Sequence, residues 1–389
     1  MPKVADVIVA GLGAMGSATA SALARRGARV LGLDRFHPPH DRGSSHGETR
    51  VIRAAYFEHP LYVPLVRAAY DRWRALEDRS GRRLLLTTGV LLVGEPSGEL
   101  MVGAAASAKE HGVPCEPFTH DELLRRYPAI VPAATATGLL EPGGGLLYPE
   151  ACIEAFLDEA GNAGADLRYD EPLASWRAVS GGVEVETARD RYSAARLLIA
   201  AGAWIPTLMP SLPLSVERQV LHWFEPPDRR PFSVGALPVF LFEEAGGPLW
   251  YGTPDLGSGL KVGLHHQGAP ITPETIDRAV HEDDVAAVRR LLRQRMPGAD
   301  VRPSRSTVCM YTNTPDAHFL VDEHPQAPRV LLASACSGHG FKFASILGEL
   351  LADRLTDTRS ALDLAPFRLD RAALRTRSTT SVLNDGSER

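Results

Sequence analysis

The sequence predicts an α/β chain, α+β in the grouping of its elements, in which a parallel-sheet half is interleaved with a mixed β-sheet half. Three observations predict it. The first residues read strand, glycine turn, helix, strand; "RLLIAAGAW" and "RVLLASACSGHG" return to a buried strand that meets a glycine turn; and the segments between are rich in short strands. At 389 residues the chain exceeds the usual size of one domain, so two are expected.

In "DVIVAGLGAMGSATASALARRGARVLGLDR", Val7 to Ala10 form a short apolar run typical of a buried parallel strand. Residues 14–26 are small and helix-compatible, Gly27 suits a helix C-terminus, and Val30 to Leu33 form the next strand. Gly11, Gly13 and Gly16 have the G-x-G-x-x-G spacing, and Asp34 ends the second strand. Gly11 permits the tight turn, Gly13 lets a pyrophosphate approach the backbone, and Gly16 lets helix and strand pack closely. The helix N-terminus attracts phosphate, and Asp34 is placed to accept hydrogen bonds from ribose hydroxyls. This is a Rossmann-like dinucleotide-binding unit.

From about Arg83 the pattern changes. "LLLTTGVLLVGE" is β-rich, "HDELLRRYPAI" is a short helical stretch, and after the turn "EPGGGLLYP" a helix is expected from about Pro149 to Ala163. The following segment reads as a strand, a Gly-Gly hairpin and a buried strand ending at Gly202. Another β-rich block runs from Pro213 to about Ser304, with strands in "LPVFLFEEA", "LWYGTPD" and "GLKVGLHHQG" and a helix near Asp283 to Gln294. Residues 376–389 are polar and aperiodic and are expected to be a disordered tail.

A formal net charge of -5 gives no electrostatic reason to expect nucleic acid or an acidic membrane as partner, so a small molecule is expected. Four cysteines, Cys115, Cys152, Cys309 and Cys336, make no disulfide framework and show no metal-ligand spacing. No metal is assigned, and a reducing cytoplasm is expected. The apolar opening resembles a secretory signal, but Asp6 interrupts it and cleavage would remove the glycine motif. No run of 18 apolar residues could span a bilayer.

An NAD-dependent dehydrogenase would usually complete its sheet with successive βαβ units. Early interruption by long β-rich insertions favours FAD instead. The segment "SSHGETRVIR" places His46, Arg50 and Arg53 just past the nucleotide unit, where the chain can fold over an isoalloxazine ring. Arginines are more often surface ion-pair formers, and spacing alone does not separate the two readings.

Five stretches in one order, "GLGAMGSATASALARRG", "HDRGSSHGETRVIRAAY", "LWYGTPDLGSGLKVGLHHQG", "CMYTNTPDAHFLVDEHP" and "SGHGFKFASILGELL", resemble the monomeric sarcosine oxidase and N-methyltryptophan oxidase family. The resemblance runs from about Asp6 to Leu355. It implies a flavoprotein oxidase of secondary (N-methyl) amino acids, in which hydride passes to FAD, the imine hydrolyses to formaldehyde and an amino acid, and oxygen becomes hydrogen peroxide. Cys309 matches the family's cysteine that carries FAD through a thioether; a buried cysteine acting as a small hydrophobe is the plain alternative. Arg53 and Lys342 would hold the substrate carboxylate, Arg50 would lie against the flavin with His46 nearby, and Lys261 would assist the reaction with oxygen. Tyr251, His265 and Tyr311 would line the substrate cavity, with Tyr56 and Phe242 setting its size. Gly11, Gly13, Gly16, Asp34, Arg35, Ser44, His46, Cys309, Gly338 and Gly340 would contact the cofactor.

The order of elements predicts an FAD-binding domain from residues 1–83, 146–212 and 304–375 and a substrate domain from 84–145 and 213–303, and the resemblance further implies a monomer. Rivals remain: oxidation of a bulkier or cyclic secondary amino acid such as N-methyltryptophan or a pipecolate-like ring, or a flavin-binding protein without oxidase activity.

Overall fold

Strand β1 (Lys3–Ala10), helix α1 (Ala14–Arg25) and strand β2 (Val30–Leu33) open the chain as the glycine spacing requires. The structure is a computed structural model that describes residues 3–360 and 362–375. The tail expected at 376–389 lies outside the described residues.

β1 and β2 join a sheet whose parallel run continues through Asp166–Arg168 on one side and Arg191–Ile199 and Ala327–Ser334 on the other. Val7, Ile8, Val9 and Ala10 are all buried, as strands covered on both faces must be. The antiparallel strands Ser175–Val179, Gly182–Glu186 and Leu320–His324 complete eight strands among the described residues. The Gly-Gly hairpin forms as expected, with Gly181 at φ 81°.

α1 packs against the helices Pro149–Asn162 and Ala344–Leu355. Small residues make the approach possible. A Cβ on Gly16 would strike the Gly11 carbonyl, and one on Gly348 would strike Ala18.

A second sheet of nine described strands gathers Val90–Gly94, Glu116–Phe118 and Thr137–Glu141 with Ser215–Phe224, Val239–Glu243, Leu249–Thr253, Leu260–His265, Pro270–Ile271 and Arg305–Asn313. Residues 305–313, expected with the nucleotide-binding half, are hydrogen-bonded into this sheet along the whole of Ser215–Trp223, with Cys309 opposite Gln219. A small third sheet pairs Arg50–Ile52 and Leu85–Thr87 with Gly145–Leu147.

Two long helices among the described residues are absent from the sequence reading. Helix α2 (Tyr62–Ser80) buries Val63, Val66, Ala69, Trp73 and Leu76 along one stripe and ends at Gly81 in the left-handed region, φ 66°. Glu99–His111 buries Leu100, Met101, Ala104 and Ala108 and ends at Gly112 in the same way. No helix among the described residues is long and apolar enough to cross a membrane.

Candidate active site

One long cavity begins at the carboxyl ends of β1, β2 and Arg191–Ile199 and runs to the nine-stranded sheet. Its first part is lined by Gly11, Gly13, Asp34, Arg35 and Ala201, the position where open parallel sheets bind nucleotides. Gly11 adopts φ 93°, which a side chain would strain, and a Cβ there would also strike the Ala200 carbonyl. A Cβ on Gly13 meets nothing within 4 Å, so the backbone there faces open space. Gly16 does not line the cavity and serves packing alone. Asp34 accepts hydrogen bonds from Leu12 N at 2.6 Å and Phe36 N at 2.9 Å, fixing the glycine loop while its carboxylate edges the cavity.

These features fit a dinucleotide. The loop leaves room at Gly13, the helix N-terminus faces that room, and an acidic side chain stands at the ribose position.

The cavity continues past Ser44, Thr49 and Arg50 to Cys309. Arg50 donates to Thr49 O at 2.7 Å and Ser44 O at 2.6 Å, and its Nη2 lies 3.8 Å from Cys309 Sγ. His46 is buried beside this wall, not in it, and its Nε2 has no hydrogen-bond partner. Burial, followed by the Arg50 charge, lowers the His46 imidazole to about 3, so it is neutral. Lys261 lies on Leu260–His265 and is 2% exposed, so it does not face solvent. Burial, then Arg50, pushes its ammonium well below the ordinary lysine value.

At the far end, Arg53, Glu58, His265, Tyr251, Tyr311, His339 and Lys342 come together, with Gly338 and Gly340 in the turn that brings Lys342 inward. Arg53 pairs with Glu58 at 2.6 Å and lies 4.5 Å over the Tyr56 ring and 4.6 Å over Phe57. The backbone just after it is held by Glu141, whose carboxylate accepts from Ala54 N at 2.8 Å and Ala55 N at 2.7 Å. Lys342 donates to His339 O at 2.7 Å and to Tyr56 Oη at 3.3 Å. Burial, then the neighbouring Arg53, lowers Lys342 to about 7. Burial would raise the Glu58 carboxyl, but Arg53, His339 and Lys342 outweigh it and hold it at about 2. His265 is kept neutral by burial and by His266, and its Nδ1 lies 3.4 Å from Tyr311 Oη.

Besides Gly16 and His46, expected to contact the cofactor but absent from the cavity lining, two expectations about the substrate end are corrected. Tyr56 is fully buried behind the wall, where its hydroxyl meets His339 Nδ1 at 2.6 Å. It therefore supports Lys342 and Arg53 instead of setting cavity size. Phe242 stacks on Trp250 in the core beneath the nine-stranded sheet and does not line the cavity either. Glu58, Phe57 and His339 are cavity residues that sequence reasoning missed. The signal for Glu58 was its place five residues after Arg53.

Fold and cleft together define a dinucleotide-binding protein of the α/β class. The model of the FAD dependent oxidoreductase family matches residues 6–354, and the chain belongs to that family, within its group of monomeric sarcosine oxidases and N-methyltryptophan oxidases. It is 41% identical to a monomeric sarcosine oxidase of Streptomyces avermitilis over 90% of this chain and 92% of the relative. It is 33% identical to an N-methyl-L-tryptophan oxidase of Yersinia pestis over 94% of this chain and 99% of that one. The fold is also that of NikD, an amino acid oxidase of nikkomycin biosynthesis, with a TM-score of 0.84 at 24% identity, covering 94% of this chain and 97% of NikD.

Proposed function

We propose that the chain oxidises secondary N-methyl amino acids of the sarcosine type. The observation that carries this reading is the pairing of Arg53 and Lys342 at the end of the cavity that begins at the glycine loop. Two cations there suit a carboxylate, the guanidinium as a fork and the ammonium as a point charge. FAD, held by the glycine loop and Asp34, would supply a two-electron acceptor that oxygen can regenerate with release of hydrogen peroxide.

The chain's own residues bind and orient. Arg53 and Lys342 hold the carboxylate, which fixes where the substrate's amine and N-methyl carbon lie. The same cations, with Arg50, disfavour a protonated amine, so the amine releases its proton on binding. Neutral His265 and the Tyr251 and Tyr311 hydroxyls offer hydrogen-bond partners to that amine without adding charge. The methyl carbon then loses a hydride, the resulting imine takes up water, and formaldehyde and the demethylated amino acid leave. Lys261 serves the oxygen reaction by holding a cation in the wall near Cys309 and Arg50.

Cys309 is assigned as the covalent attachment point for FAD, supported by its place on the cavity wall beside Arg50. Residues 1–83, 146–212 and 304–375 are assigned to the cofactor half, and 84–145 with 213–303 to the substrate half; Arg305–Asn313 would serve both, since it carries Cys309 on a strand of the nine-stranded sheet. A cytoplasmic monomer is the proposed state, in keeping with four free cysteines and with the word monomeric in the relatives' names.

The test is an aerobic peroxide assay against sarcosine, N-methyltryptophan, pipecolate, proline and primary amino acids. Turnover on a secondary amine is expected. Silence on every secondary amine, with flavin bound, would overturn the reading.

A further inference from the structure

The Lys261 ammonium donates to Gly47 O at 2.6 Å, Thr49 O at 2.9 Å and Thr49 Oγ1 at 2.9 Å. An ammonium has three protons, so its donors are fully used. Both carbonyls belong to one tight turn. Thr49 N donates back to Gly47 O at 2.8 Å, and Glu48 between them has φ 69°. This is a γ-turn with positive φ, a strained conformation for a residue with a side chain.

Contacts from outside hold the turn. Glu150 Oε1 accepts from Gly47 N at 2.7 Å and Glu48 N at 3.1 Å. The Glu48 carboxylate accepts from Trp223 Nε1 at 3.0 Å and Ser258 Oγ at 2.8 Å and pairs with Arg305. Trp223 is the register partner of Lys261, and Arg305 lies 3.9 Å over the Trp223 ring. The nine-stranded sheet therefore supplies the ammonium together with Trp223 and Arg305, two of the groups that pin the turn gripping it.

We propose that Glu48 is a positioning residue: anchored to Trp223, Ser258 and Arg305, it holds the strained turn whose Gly47 and Thr49 carbonyls fix Lys261 in the cavity wall. The consequence for the oxygen reaction rests on the role proposed above for Lys261; the positioning itself does not.

Two measurements on purified flavin-loaded protein test it, with Glu48→Ala, Glu48→Gln and Arg305→Met beside the unaltered chain. The first is acetic anhydride labelling of Lys261, followed by peptide mass spectrometry. Freed from its carbonyls, Lys261 in Glu48→Ala is expected to react at least about tenfold faster, the scale of losing hydrogen bonds to a charged group. Glu48→Gln keeps an acceptor oxygen for Trp223 and Ser258 and should fall between. The second separates the half-reactions by rapid mixing. The oxygen reaction of the reduced protein is expected to slow about tenfold or more, with anaerobic reduction by substrate within about twofold of the unaltered chain.

Unchanged labelling of Lys261 in a folded Glu48→Ala protein overturns the proposal. Should that variant fail to fold, Arg305→Met removes only the half-exposed partner, and no rise in labelling there overturns it equally. Faster labelling with an unaltered oxygen reaction upholds the positioning and instead sinks the oxygen role of Lys261.

Discussion

The guanidinium of Arg53 is paired with the Glu58 carboxylate at 2.6 Å, the arginine buried and the glutamate half-buried in the wall of the cavity. A carboxylate ligand reaching Arg53 must share it with Glu58. Glu58→Gln leaves the buried guanidinium without its ion partner, a loss below the roughly 3–5 kcal/mol of breaking a fully buried pair, because Glu58 keeps some contact with solvent. Thermal unfolding should show a lower midpoint for this variant and a larger upward shift on adding propionate than in the unaltered protein. Equal shifts in the two proteins would contradict the competition.

Lys342 titrates at about 7, so its charge disappears in an accessible range. A simple carboxylate such as propionate stays ionised throughout, so only the protein changes. As pH rises through about 7, the ammonium becomes a neutral amine and propionate should bind more weakly. Lys342→Arg keeps its charge and should bind propionate independently of pH between 6 and 9, roughly, since a guanidinium does not titrate there. Flavin-absorbance titrations at several pH values check both; a flat profile in the unaltered chain refutes the assignment.

Acid precipitation decides the role of Cys309. Yellow colour should stay with the precipitated unaltered chain and leave Cys309→Ser. Colour retained by the serine variant would move the attachment elsewhere or exclude it.

Lys261→Met should slow reoxidation of the reduced protein by at least about a hundredfold, the range seen when a charge-stabilising group is removed. Reduction by substrate should be nearly intact. Stopped-flow spectroscopy resolves the two, and a similar loss in both steps would refute the role.

Glu141 binds the amides of Ala54 and Ala55 next to Arg53. Glu141→Leu leaves those buried N–H groups without an acceptor, at a cost of about 1–3 kcal/mol. KM for the amino acid should rise while flavin absorbance stays unchanged, and steady-state kinetics would show it. An unaltered KM would separate Glu141 from Arg53.

The dinucleotide unit was legible because its constraints are local: Gly11 needs its positive φ and Gly16 its close approach, whatever the rest of the chain does. Arg53 and Lys342 were legible only through family resemblance, since they are 289 residues apart and nothing periodic links them. α2 went unread because its apolar stripe, Val63 through Leu76, is diluted by arginines and aspartates on its other face, with Pro64 in the first turn. Tyr56 was misplaced for a different reason. Its neighbours Arg53 and Phe57 do face the cavity, and only the packing against Tyr62, His339 and Phe343 turns its ring behind the wall. Glu48 carries no sequence signal, because its partners at 223, 258 and 305 meet it only after the nine-stranded sheet has formed.

The chain moves from the eight-stranded sheet to the nine-stranded one after Ile199 and comes back only at Leu320, having already made an excursion between Val90 and Glu141. No single cut in the gene releases either sheet whole. Neither half can be traded as a cassette between relatives by joining two fragments end to end. A recombination library built from crossovers at a single point would therefore yield mostly chains with one sheet assembled from mismatched parents.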